Sequence, residues 1–456
     1  MSVETGSGVA LSSFGELIRG KELDYTKYQM THGSYQLTKT IQQTGYTTTT
    51  LTTSGGQESI FELSPKVYNF AESYLEFTAT PVASGADFYN RINLDGLTFI
   101  RQITLYTRSG LFLADIPDVG NYMNMTMRRN FKIDDVQTWD KEGGKFEGLR
   151  CSNVAAGSNY RYDGTTGTTA YLEPSYLRVG GKNTADPVIN VQMNLNRIIH
   201  SIFSQDKDLY FGGEVLYLRI VWNPTTKIAF IGKSATDPTG DVAAYAGNIA
   251  ITNLVLYMAV EQNQVIENEV RNKVLSAEGL NIVLPYVYQN KISLGGTSQN
   301  LSIKYSRAHG SKLLKIYWAP YSATESSNTT YDHDNLAGAK VSQFYTTVNN
   351  IRTSQFNYNC DGDDYRMQRK RLQGSCILSS DEYYYNWVWI EDFTNNYSMV
   401  DKPLKPAEDN YVDGMPLDME VKYDVFTNTA NANYNHYVYA ICQKNLVINS
   451  SGISLV

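Results

Sequence analysis

Histidine pairs at ligand spacing, CxxC pairs and every common catalytic signature are missing from this 456-residue chain. There is no GxSxG, HExxH or GxxxxGK[ST], and no glycine-rich turn between a strand and a helix. The five histidines, His32, His200, His309, His333 and His436, are isolated. The four cysteines, Cys151, Cys360, Cys376 and Cys442, are far apart, which fits free thiols in a reducing compartment better than a disulfide framework. The N-terminus has no basic segment followed by an apolar run, so no signal peptide is expected, and sequons such as Asn328 and Asn396 are read as unused. Apolar runs fall short of the roughly 20 residues of a membrane-spanning helix. Charge is modest at 19%, and the net charge of -7 gives no basic face for phosphate, so sequence-specific nucleic-acid binding is not expected.

What is present is tyrosine: 35, against 16 Phe and 5 Trp. Tyrosine favours strands and joins an apolar body to a polar tip, which suits half-buried sheets and broad interfaces. Residues 1–59 are rich in Gly, Ser, Thr and Gln and are read as an arm, either a flexible tail or a segment ordered by a neighbouring subunit. Beyond it, apolar residues recur with period two, in Leu75–Ala79, Ile103–Leu105, Ile189–Leu195, Leu216–Trp222 and Ile251–Tyr257. Alternation of this kind marks strands with one buried face.

Ile266, Val270 and Val274 then recur at four-residue spacing, a short amphipathic helix closed by Gly279. Alternation resumes in Leu301–Tyr305, Leu314–Trp318, Leu417–Val425 and Tyr437–Ile441. Two domains and two further segments follow: an arm at 1–59, a first β-domain at 60–262, a helical connection at 263–284 and a second β-domain at 285–456. Tyr257, Asn263, Val265 and Ile266 recur as Tyr439, Asn445, Val447 and Ile448 at a constant offset of 182, which supports tandem copies of one fold.

Candidate sites are few. Asp361, Asp363 and Asp364, like Asp332 and Asp334, offer carboxylates to a hard cation, but the twelve-residue calcium loop is missing and turn chemistry explains them more simply. Arg366, Arg369, Lys370 and Arg371 form the one dense basic cluster, a contact for phosphate or lipid headgroups or a solvated loop paired with the acidic stretch before it. Tyr383, Tyr384, Tyr385, Trp387 and Trp389 are too apolar on both parities for a solvent-facing strand. They suit a core strand, a subunit interface or a sugar platform. Asp381 and Glu382 would be the carboxylates of a glycosidase, but nothing places them in a cleft. No catalytic residue and no cofactor is expected.

In its order of elements the chain resembles the double jelly-roll major capsid proteins of virophages and polinton-like viruses, in the adenovirus-like and PRD1-like lineage. The resemblance spans about residues 60 to 456. It is carried chiefly by Leu314–Pro320, Tyr331–Asn335, Asp363–Tyr365 and Tyr385–Trp389. It implies an all-β fold of two tandem eight-stranded sandwiches joined by a short helix. It further implies a homotrimer with a pseudo-hexagonal outline, neighbouring capsomers, penton and minor capsid proteins, and an arm near the capsid interior or an internal membrane. The implied place is the virion, after assembly inside the host cell. The alternative is a carbohydrate-binding tandem sandwich of fibre or lectin type.

Overall fold

Strands dominate because β-branched and aromatic residues alternate with polar ones, and a pleated chain sends successive side chains to opposite faces. The computed structural model describes residues 35–41, 49–81, 89–93, 99–130, 176–179, 189–205, 207–232, 243–244, 247–276, 278–294, 311–322, 341–348, 351–352, 358–359, 389–392, 418–423 and 434–455.

The first half is a sandwich of two antiparallel sheets. One contains β1 (Tyr35–Ile41), β2 (Thr49–Leu51), β4 (Tyr68–Pro81), β9 (Ile189–Asn194), β10 (Asp208–Leu209) and β14 (Ile249–Glu261), with β14 and β4 at its centre. The other runs in the order β3 (Glu58–Leu63), β11 (Leu216–Trp222), β6 (Ile100–Thr107), β7 (Phe112–Pro117). Between them Phe77 of β4 meets Trp222 of β11 edge to face at 5.3 Å, and the Trp222 indole N–H donates to Ser59 Oγ at 2.9 Å. That hydrogen bond lets a tryptophan lie fully buried without an orphaned donor. A smaller sheet has the order β13 (Ala243–Ala244), β12 (Ala229–Gly232), β5 (Tyr89–Asn93), β8 (Tyr176–Val179).

Two of these strands come from the stretch expected to be an arm. β1 pairs with β14 from Tyr35↔Glu261 to Ile41↔Val255, and β2 continues along the same strand from Thr49↔Ile251 to Leu51↔Ile249. Leu51 is fully buried, so the first sheet begins well before residue 60. The run of threonines hid this, because Thr is at once polar in composition and β-branched in conformation.

Helix α1 (Val119–Asn130) follows β7 and buries Val119, Tyr122, Met123 and Met125. Helix α2 (Gln264–Leu275) lies in the expected connection; the Asn263 side chain caps it by accepting from Val265 N–H at 3.0 Å. Gly279 follows at φ +67°, in the left-handed region where glycine is strain-free.

In the second half, one sheet runs β15 (Leu280–Leu294), β22 (Tyr434–Asn449), β16 (Lys312–Ser322), β20 (Trp389–Asp392), with β23 (Gly452–Leu455) also paired to β22. The other groups β17 (Val341–Val348) with β18 (Ile351–Arg352), β19 (Tyr358–Asn359) and β21 (Asp418–Tyr423). The repeat at an offset of 182 does not survive in structural terms. Asn263, Val265 and Ile266 form a helix cap and first turn, whereas Asn445, Val447 and Ile448 continue a strand.

The seam between the halves and candidate assembly surfaces

Every described side chain of β16 from Leu313 to Ala319 is at most 2% exposed, and β22 is equally buried from Tyr437 to Cys442. A strand buried on both parities has a partner on both faces. The register places Tyr317 opposite Tyr439, Ala319 opposite Tyr437 and Lys315 opposite Ile441 on one face. Tyr317, Ala319, Tyr437, Tyr439 and Ile441 belong to the same apolar cluster as Leu105, Ile116 and Phe203 of the first half. Trp318, Ile316, Val438 and Ala440 lie on the other face, also buried. This sheet is therefore a shared wall, and one continuous core runs through both halves.

Polar contacts fix the seam. Tyr439 OH donates to the Asp118 carbonyl at 3.1 Å, and Gln289 Nε2 donates to Asp118 Oδ2 at 2.7 Å. The Tyr122 ring packs against Tyr439 at 5.1 Å, and its hydroxyl donates to the Ile199 carbonyl at 2.7 Å. His200 Nε2 lies 3.1 Å from Tyr317 OH. Asp118 and His200 both have positive φ, +48° and +56°, a cost kept only where surrounding contacts determine the conformation. Burial, then the nearby Lys315 cation, holds the His200 imidazole well below its ordinary pKa. Burial similarly pushes the Cys442 thiol up to about 12, so it packs as an inert apolar group.

The outer faces of the first sandwich carry ordered tyrosines. Tyr74 and Tyr257 stack at 4.7 Å and 22° across β4 and β14. On the opposite sheet Tyr106 stacks on Tyr217 at 5.4 Å and meets Phe112 at 6.0 Å; Phe112 is 50% exposed. The next row is polar: Arg219 grips Glu58 through Nε and Nη2, while Gln102 and Thr104 donate to Asp115 Oδ1. Such faces offer aromatic area whose rings are already packed against one another, with little rotamer entropy left to lose.

No family model and no curated protein sequence matches the chain. Solved structures do. The Faustovirus major capsid protein aligns with a TM-score of 0.59 at 11% identity, over 92% of this chain and 91% of that one. A chain of the Sputnik virophage structure aligns at 0.55 and 12% identity, over 93% and 89%. A chain of the PBCV-1 virus capsid aligns at 0.53 and 9%, over 93% and 97%. The chain has the double jelly-roll fold of viral major capsid proteins. At such identities the likeness lies in the path of the chain and not in shared residues. It covers both halves of the double jelly roll at once, as the continuous core requires.

Most residues singled out by sequence lie outside the described residues: Asp361, Asp363, Asp364, Arg366, Arg369, Lys370, Arg371, Tyr383, Tyr384, Tyr385 and Trp387, as well as Asp381 and Glu382. Trp389 opens the edge strand β20, directly opposite Trp318 of β16. Among the described residues no cluster of three His, Cys, Asp or Glu could hold a metal, and no helix is long and apolar enough to cross a membrane. Asp118, Tyr122, His200 and Lys315 were not singled out by sequence. Asp118 and Tyr122 are a helical turn apart, but His200 and Lys315 lie far from them and from each other in the chain, and only the topology gathers these segments.

Proposed function

We propose that this protein is a major capsid protein that works by geometry and not by catalysis. The observation that carries this is alignment over more than nine-tenths of both chains with viral capsid proteins. A two-domain chain with a continuous core also suits a tile, because the angle between the halves is set by packing and not by a hinge. Three copies associate as a trimer of pseudo-hexagonal outline, using tyrosine-rich faces such as Tyr106–Tyr217 and Tyr74–Tyr257. Obligate interfaces of this kind are large and apolar, whereas contacts between trimers are smaller and more polar, which lets a shell anneal. In the virion such trimers would meet neighbouring capsomers, penton and minor capsid proteins and, where one underlies the shell, an internal membrane.

The test is the state of the purified full chain at micromolar concentration. Mass photometry is expected to give a trimer, and negative-stain images a triangular or hexagonal outline. A stable monomer, or elongated fibres, would overturn the tile and favour the carbohydrate-binding alternative.

A further inference from the structure

Strand β16 points neighbouring aromatic residues at two buried histidines. Tyr317 faces the first half, 3.1 Å from His200 Nε2; Trp318 faces its own sandwich and donates from Nε1 to His436 Nδ1 at 3.1 Å. His200 sits between two short 3-10 turns, Leu195–Arg197 and Ile202–Ser204, and is 8% exposed. It plugs a loop of the first half against the wall of the second.

The groups around it come from four elements. β16 supplies the Tyr317 hydroxyl and Lys315, which is 1% exposed. Helix α1 supplies Tyr122, whose hydroxyl is held by the neighbouring Ile199 carbonyl. β22 supplies Tyr439, committed to the Asp118 carbonyl, and His200's own segment adds Arg197, a second cation. The seam's carboxylate, Asp118, is engaged by Gln289 of β15. The charge that bears most on His200 is thus positive, and a protonated imidazole there would meet Lys315 in a dry interface.

We propose that the seam is an acid-sensitive latch, in which protonation of His200 releases residues 198–201 from β16 and loosens the first half from the second. The direction follows from linkage. An imidazole kept neutral when closed and free to protonate when open makes opening take up one proton. The open population then rises about tenfold for each pH unit below about 6.5. Burial first, and Lys315 second, hold the closed-state imidazole neutral in mildly acidic solution. His436 responds with the same sign, because burial lowers it to about 3, but it weakens the core of the second half and not the seam. The inference stands on the seam alone and does not depend on the capsid role.

Hydrogen exchange of the full chain, corrected for intrinsic rates and followed by mass spectrometry, reads the seam segment by segment. Between pH 6.5 and 5.5, peptides covering 119–126 and 195–204 are expected to open about fivefold more. Those covering 216–222, away from the seam, are expected to stay protected. His200→Asn tolerates positive φ and does not titrate, so it should abolish the increase. Lys315→Met removes the opposing cation, lets the closed-state imidazole protonate at higher pH, and should make the rise level off sooner at the acid end, its onset staying near pH 6.5. Seam peptides whose corrected exchange is independent of pH, or an increase that persists in His200→Asn, would overturn the latch. Should His200→Asn not fold, His200→Gly serves the same test, since glycine also accepts the positive φ and does not titrate, and an increase that persists there overturns the latch equally.

Discussion

Gly279 joins helix α2 to the wall strand β15, and replacing it with alanine tests how tightly that joint is built. Its backbone has φ +67°, and its N–H donates to the Ser276 carbonyl at 3.1 Å. A Cβ there would lie 2.6 Å from the Ile448 carbonyl oxygen and 2.8 Å from Asn449 Cβ, at the end of β22. That oxygen cannot retreat freely, because Ile448 is paired with Leu280 on one side and Ile453 on the other. Left-handed backbone costs an alanine about 1–2 kcal/mol. Forcing a methyl group into a packed site adds about 1–3 kcal/mol. Gly279→Ala should therefore destabilise by about 2–5 kcal/mol. Gly110, in the turn between β6 and β7, separates the two terms: φ is +92°, but nothing lies within 4 Å of an added Cβ. Gly110→Ala then carries the strain without the clash. Urea unfolding followed by circular dichroism compares the two midpoints at equal slope. If Gly279→Ala lost no more stability than Gly110→Ala, the close approach of the connection to β22 would be refuted.

Two further outcomes follow from the shared wall. His436 falls from 6.5 to about 3 on burial, so its contribution is complete above pH 6.5 and is lost as the solution is acidified through the range down to 3. At pH 5 the loss is about 2 kcal/mol, and His436→Asn, which keeps an acceptor for Trp318, should flatten the decline in urea midpoint between pH 7.5 and 5 by that amount; parallel declines would refute it. Tyr439→Phe removes the donor to the Asp118 carbonyl and should cost only about 1 kcal/mol by the same assay, since that carbonyl also accepts from Tyr122 N–H at 3.1 Å. The hydroxyl also accepts from Gln289 Nε2 at 3.3 Å, but that amide keeps Asp118 Oδ2, so a loss of several kcal/mol would mean that the hydroxyl holds more of the seam than these two bonds.

Period-two alternation marked β4, β6, β9, β11 and β14 because each has at least one stretch with distinct inner and outer faces, and it also located β16, β21 and β22. Leu216–Trp222 is legible to Ile220, where burial alternates residue by residue, and its last three residues are buried in succession. Alternation was blind where another rule applies. β1 and β2 are edge strands of polar composition, with Tyr35 40% and Leu37 47% exposed, so composition spoke for an arm while hydrogen bonding to β14 made a sheet. A cut at residue 59 would strip both strands from the first sandwich. In β14 the positive φ of Asn253 marks a shift of register between Thr252 and Val255, which sends the inward parity from one set of residues to the other.

The seam was the least legible part, and the reason is physical. A strand packed on one face announces itself by alternation, but β16 reads Leu313-Leu-Lys-Ile-Tyr-Trp-Ala319, with apolar residues on both parities. That pattern is what a wall between two cores requires, since each parity answers to a different half. The lysine within it reads as the polar face of a half-exposed strand, yet Lys315 is buried. The same ambiguity attaches to Tyr383–Ile390, also apolar on both parities, whose last two residues enter β20 beside β16. Continuous apolarity in a strand thus says that both faces are covered, without naming the cover. In β16 the cover on one face is the chain's own first half, and this joins the two jelly rolls through one continuous core.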